Sequence, residues 1–160
     1  GPSWSLQPLP KAISGYENIV ENANVRFDNV QNGKAIKDNY IVDNYNLKGE
    51  EEKEVSLGQG NSFVEISFDK KYEIGGIAIY NSAYYGKQIS EVKYVDFGDG
   101  NAVYYPQFLN DYHVNDITSF VFPTSAITIE FPKKFTSNKV VICFDLPEGG
   151  SINEIKVLGK

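Results

Sequence analysis

Short apolar runs in which every second residue is polar dominate the second half of this chain. In SFVEISF (62–68), Val64, Ile66 and Phe68 fall on one side and Phe63, Glu65 and Ser67 on the other. That period of two is the signature of a half-buried strand. IGGIAIYN (74–81), EVKYVDFG (91–98), SFVFP (119–123), AITIEFP (126–132), KVVICFDLP (139–147) and INEIKVLG (152–159) follow. Each is rich in β-branched or aromatic residues and bounded by Gly, Pro, Asn, Asp or Ser. Pro123, Pro132 and Pro147 each come after a strand, where a missing N–H interrupts no ladder. No helical period is sustained over about ten residues. Seven or eight short strands without helices between them predict an all-β, antiparallel sandwich or barrel. Val64, Ile66, Phe68, Ile77, Ile79, Ile142 and Phe144 are its expected core.

The first part of the chain reads differently. Residues 1–15 carry three prolines and Trp4, and Gly1-Pro2-Ser3 has the look of an expression scar; the segment is read as that scar plus a linker or extended lead-in. Residues 16–160 are read as a single domain, one core being enough to bury about two-thirds of the unfolded surface at this size. From 16 to about 62 the sequence is polar, with few regular patterns, and GEEEKE (49–54) reads as a solvated turn or loop. The domain is expected to be a fragment of a larger protein to which it is covalently attached.

Charge then narrows the partners. With 15 basic and 21 acidic residues the formal charge is −6, which argues against a nucleic-acid backbone or an anionic membrane surface as partner. No apolar run approaches the ~20 residues of a membrane span. The 11 Tyr and 10 Phe are the unusual feature, since Tyr suits surfaces that are half wet.

Catalytic motifs fail on context. DFGDGN (96–101) has the letters of a kinase metal loop but none of its companion motifs, and Asp99-Gly100 is better read as a hairpin turn needing φ > 0. GQG (58–60) lacks the third glycine of a dinucleotide site. His113 is the only histidine and Cys143 the only cysteine; the latter lies in VVICFDL and reads as a packed, inert thiol. No enzyme is expected. DNYIVDNYN (38–46) offers oxygen ligands suited to calcium, although not at the spacing of an EF-hand, and an Asx-turn-rich loop is the other reading.

The order of segments resembles a family. ENIVENANV (17–25) is similar to the "N-x-A-x-x-A-x-V" opening of discoidin domains, the coagulation-factor C-type (F5/8 type C) modules, and KAIKDN (34–39) to their "A-x-D-G-N" segment. VEISFDKKYEIGGIAIYN (64–81), KYVDFGDG (93–100) and INEIKVLGK (152–160) resemble their central strand pair, hairpin and closing strand. Within the family the chain looks most like bacterial carbohydrate-binding modules of family 32. The resemblance implies a galactose-binding-like jelly-roll β-sandwich of about eight strands and a non-catalytic, lectin-like function. It also implies an extracellular or bacterial cell-surface setting, attached to a glycosidase or adhesin, with a glycan or glycoprotein as partner. A protein–protein interaction domain on the same scaffold is the alternative.

The resemblance also places a ligand site on loops at one end of the sandwich. Tyr84 and Tyr85, in the polar stretch NSAYYGKQ (81–88), are the expected stacking residues, with Lys87, Asn44, Tyr45, Tyr112 and His113 as further contacts. An exposed aromatic covers the C–H face of a sugar while polar groups bond its rim. Packing of these tyrosines on neighbouring loops, or against a partner protein, is the other reading. A structural calcium would fall to Asp38, Asp43 and Glu154. Lys37 stands where the family has its metal-binding aspartate, leaving Asp38 to take that role.

Overall fold

The computed structural model describes residues 12–31, 54–82, 84–106 and 126–160. Among them eight antiparallel strands and no helix occur: β1 (Glu17–Asn18), β2 (Asn24–Asp28), β3 (Val55–Leu57), β4 (Gly60–Asn81), β5 (Tyr94–Gly98), β6 (Asn101–Tyr104), β7 (Ala126–Leu146) and β8 (Gly150–Gly159). They form one hydrogen-bonded path, β1-β8-β4-β7-β5-β6, with β2 added to β4 and β3 to β8.

The path doubles over into a sandwich because β4 and β7 each serve both layers. The first arm of β4 pairs with β2 (Val25↔Ile66) and with the second arm of β7 (Val64↔Ile142). After register shifts between Ser67 and Tyr72 and between Ile74 and Gly76, its second arm pairs with the first arm of β7 (Ile77↔Ile129) and with β8 (Ile77↔Val157). Such irregularities are how a strand turns the corner from one sheet to the next. Both ends of β4 return to the same place: Gly60 sits opposite Leu146 and Asn81 opposite Ile152, on the two sides of the β7–β8 turn.

The runs predicted as separate strands at 62–68 and 74–81 are therefore two arms of one bent strand, and so are 126–132 and 139–147. Pro132 lies inside β7 rather than after it. It occupies the corner between Glu130 and Phe135, where no ladder partner on β4 is present to need its N–H. The 91–98 run enters its ladder only at Tyr94, and the 119–123 run lies outside the described residues. The polar stretch 16–62 contains β1, β2 and β3, which the sequence reading missed. In NVRFD only Val25 and Phe27 turn toward the core, between exposed Asn24, Arg26 and Asp28.

Val64, Ile66, Phe68, Ile77, Ile79, Ile142 and Phe144 are all buried, as the alternation predicts. Val95, Phe97, Ile127, Ile129, Ile155 and Val157 complete a single cluster between the layers. Phe97 stacks on Phe135 (4.4 Å between ring centroids) and meets Phe131 edge-on (5.0 Å). Gly76 is required by close approach: a Cβ there would lie 2.4 Å from the Ile129 carbonyl oxygen and 2.6 Å from Ile13 Cδ1. Ile13 is itself buried, so the end of the predicted lead-in packs on the domain. Asp99 (φ 54°) and Gly100 (φ 78°) make the expected hairpin turn, with Gly98 opposite Asn101.

Candidate functional site

The loop leaving β4 begins at the end of the sandwich where both ends of β4 meet the β7–β8 turn. Its base is closed by one buried amide. Asn81 Nδ2 donates to the Ile89 carbonyl (2.8 Å), and Asn81 Oδ1 accepts from the N–H groups of Ile89 (2.9 Å) and Ser82 (3.1 Å). The side chain thus copies a peptide group and pairs the two ends of the loop.

Beneath it lies a second polar anchor. Ser82 Oγ donates to Glu54 Oε1 (2.6 Å) and accepts from the Tyr84 N–H (3.0 Å), while Asn153 Nδ2 donates to Glu54 Oε2 (3.1 Å). Glu54 is 1% exposed. The 49–54 segment was expected to be solvated; residues 49–53 lie outside the described set, but Glu54 is buried. A buried carboxylate is tolerated only when donors replace its water, which Ser82 and Asn153 do.

On this base Tyr84 is half-buried, and the Lys87 ammonium lies 5.5 Å from its ring centroid. Gly86 (φ 80°) takes the left-handed turn. The Gln88 side chain fills the turn: its Oε1 accepts from the Gly86 N–H (3.1 Å), and its Nε2 donates to the carbonyls of Ser82 (3.0 Å) and Tyr84. The Lys87 carbonyl accepts from the Ser151 N–H (2.7 Å), tying the loop to β8. Tyr85 projects from this platform at 86% exposed.

Beside it is a cleft of about 160 Å³ whose lining includes Gln31, Gln59, Gly86, Lys87, Glu148 and Ser151. The two amides, the ammonium and a carboxylate offer donors and acceptors close in sequence to an exposed ring, a mixture that matches a polyhydroxylated ligand. The Ser151 hydroxyl is buried against Ser56 Oγ (3.0 Å). Sequence reading missed Gln31, Gln59, Glu148, Ser151 and the anchor Glu54. Gln59 sits in GQG, which had been set aside as a bare loop, and Glu148 in the PEGG turn; neither has a spacing that announces binding.

Of the predicted ligand residues, Tyr84, Tyr85 and Lys87 come together. Asn44, Tyr45, Tyr112 and His113 lie outside the described residues, as do the metal candidates Asp38 and Asp43. Glu154 is buried on β8, opposite Tyr80, on the face turned away from Ile155 and Val157. Burial, with Glu154 as the smaller cause, pushes the Tyr80 hydroxyl up to about 12. Burial lowers the Lys156 ammonium, partly offset by Glu154. Among the described residues, no three His, Cys, Asp or Glu side chains gather as a metal site. Cys143 is buried, and burial raises its thiol, so it is held in its unreactive form.

No protein-family model and no curated protein sequence matches the chain. Solved structures do. The lectin binding domain of lectinolysin, complexed with Lewis b, superposes with a TM-score of 0.61 at 14% identity, over 96% of this chain and 99% of that one. A Streptococcus pneumoniae fucose binding module gives 0.60 at 19% identity, over 94% and 100%. The family 32 carbohydrate-binding module of C. perfringens NanJ, in complex with galactose, gives 0.55 at 11%, over 86% and 94%. At these identities the likeness establishes the fold, a galactose-binding-like jelly-roll sandwich.

Proposed function

We propose that the chain is a non-catalytic carbohydrate-binding module of the discoidin type, which recognises a glycan at the loop end of its sandwich. The observation that carries this reading is Tyr85, an 86% exposed ring held on a loop whose base is fixed by Asn81, Ser82 and Glu54. A soluble domain gains nothing by fixing a wet aromatic so firmly unless something covers it. The ring would stack on the C–H face of a sugar, with Lys87, Gln59 and Gln31 bonding its hydroxyls. The structural neighbours support the class of ligand, since they were solved as binders of Lewis b, fucose or galactose.

A single shallow site of this kind binds weakly, roughly 10 μM to 1 mM. Useful retention then comes from attachment to a larger, secreted or surface protein, where avidity multiplies the affinity. Asn44, Tyr45, Tyr112 and His113 are proposed as additional contacts, and a structural calcium is proposed at Asp38, Asp43 and Glu154.

A glycan array with the intact domain, followed by calorimetry on the best ligand, tests the reading. Tyr85→Ala should cost about 1–3 kcal/mol of sugar binding, with stability changed by less than about 0.5 kcal/mol. Sugar binding unaffected by Tyr85→Ala would remove the loop site. Silence across the array, with capture of a protein partner lost in Tyr85→Ala, would favour the protein-interaction reading instead.

A further inference from the structure

The outer face of the layer built by β2, β4, β7, β5 and β6 carries a feature that the loop site does not use. Strand pairing sets Asp28 opposite Phe63, Phe63 opposite Cys143, Cys143 opposite Tyr94, and Tyr94 opposite Tyr104. These five residues form one straight row across the sheet, on the face away from the core residues Val64, Phe144 and Val95. The solvent face of an antiparallel sheet ordinarily carries polar residues. Here three of five positions are aromatic.

The row is shaped, not flat. Cys143 is small and lies between Phe63 and Tyr94, whose backbone positions are about 10 Å apart at a strand spacing of about 4.8 Å. The result is a groove of about 300 Å³, lined by Asp28, Asn61, Phe63, Lys93, Tyr94 and Cys143 among others, which is within the size range of small-ligand sites. Both walls are held. Arg26, paired to Glu65 (3.0 Å), lies 4.8 Å from the centroid of Phe63. Tyr94 packs against Tyr104 (5.1 Å between centroids). At the polar rim Lys93 Nζ donates to Asn61 Oδ1 (3.4 Å), and Asp28 is exposed at the end of the row. Tyr104, 67% exposed, continues the aromatic track beyond the groove.

We propose that this groove is a second carbohydrate site, distinct from the loop end, which takes a neutral pyranose within a linear glycan chain. Rings on two walls suit the apolar faces of a sugar, and the amide, ammonium and carboxylate at the rim suit its hydroxyls. The face carries no basic patch: Asp28, Glu65, Asp96 and Asp145 stand against Arg26, Lys93 and Lys139, a slight acidic balance that favours a neutral ligand over uronates, sulfated sugars or nucleic acid. The track from Phe63 to Tyr104 spans four strands, longer than one sugar ring, which is why the ligand is a chain rather than a monosaccharide.

The test follows backbone amide NMR shifts of the whole domain during titration with maltohexaose, cellohexaose and mannohexaose, each to about 10 mM. It is run in the natural sequence and in the double variant Tyr84→Ala/Tyr85→Ala, which isolates this groove from the loop site. For at least one hexasaccharide, saturable shifts are expected at Asp28, Asn61, Phe63 and Tyr94 in both proteins. Asn61→Ala and Tyr104→Ala, both at exposed positions, should each weaken that binding about tenfold and leave binding at the loop end unchanged. The absence of shifts at these amides with all three sugars would overturn the proposal, as would shifts indifferent to both substitutions. So would a concentration-dependent dimer dissociated by Tyr104→Ala, which would assign the row to contact with a second copy. None of these failures touches the loop site, whose own ligand is read separately through Tyr85.

Discussion

Replacing Glu54 tests whether the buried carboxylate, and not merely the turn sequence, fixes the loop that carries Tyr85. Glu54 accepts from Ser82 Oγ at 2.6 Å and from Asn153 Nδ2 at 3.1 Å, and it is 1% exposed. Hydrogen bonds to a charged group contribute about 1.5–3 kcal/mol each. Glu54→Gln keeps the shape but turns one acceptor into a donor facing Asn153 Nδ2 or Ser82, and should cost about 1–3 kcal/mol. Glu54→Ala leaves both donors buried without this acceptor and opens a void, so about 3–5 kcal/mol is expected. At this chain length each kcal/mol moves Tm by about 2–4 °C, placing the alanine variant about 6–20 °C below the parent. Urea unfolding would give the free energies, with an unchanged m-value confirming that the same surface is exposed. Because Ser82 also receives the Tyr84 N–H, glycan affinity should fall in both variants, more in the alanine one. An alanine variant within about 0.5 kcal/mol of the parent would refute the reasoning, leaving Glu54 as an incidental buried charge.

Tyr80 sets an alkaline limit. Its hydroxyl is raised from 10.0 to about 12 in the fold, so its contribution is fully present below pH 10 and is lost as pH rises through about 12, amounting to about 2–3 kcal/mol; Tyr80→Phe should flatten that part of the stability profile, and an unaltered profile would contradict it. If calcium is held at Asp38, Asp43 and Glu154, added calcium should raise Tm and a chelator lower it, since only the folded chain presents the site; identical melting curves would dispose of a tight, exchangeable ion. Gly76→Ala should cost at least about 1–3 kcal/mol, because its Cβ would press on the Ile129 carbonyl where the two long strands meet; a neutral result by chemical denaturation would mean the corner can widen freely.

Alternation alone determined the strand interiors. Val64, Ile66, Ile77, Ile79, Ile142 and Phe144 fall where they do because a pleated strand turns every second side chain to one face, and that period is local to the chain. The Asp99-Gly100 turn was legible for the same reason, since its φ demand is met by the two residues themselves. The exposed Tyr85 of the 81–88 loop was legible as a wet aromatic without a local core. Other features depended on residues far apart in sequence. That 62–68 and 74–81 are arms of one strand in opposite layers was decided by pairing with β7 and β8, which no local pattern encodes. Glu54 reads as one more acid in GEEEKE; its burial follows from Ser82 and Asn153 arriving 28 and 99 residues later in the chain. The Asp28–Phe63–Cys143–Tyr94–Tyr104 row exists only through register, and a one-residue slip in any pair would turn its rings into the core. Tertiary structure thus decided where the polar anchors and the outer aromatic row lie, because both are made of cross-strand neighbours.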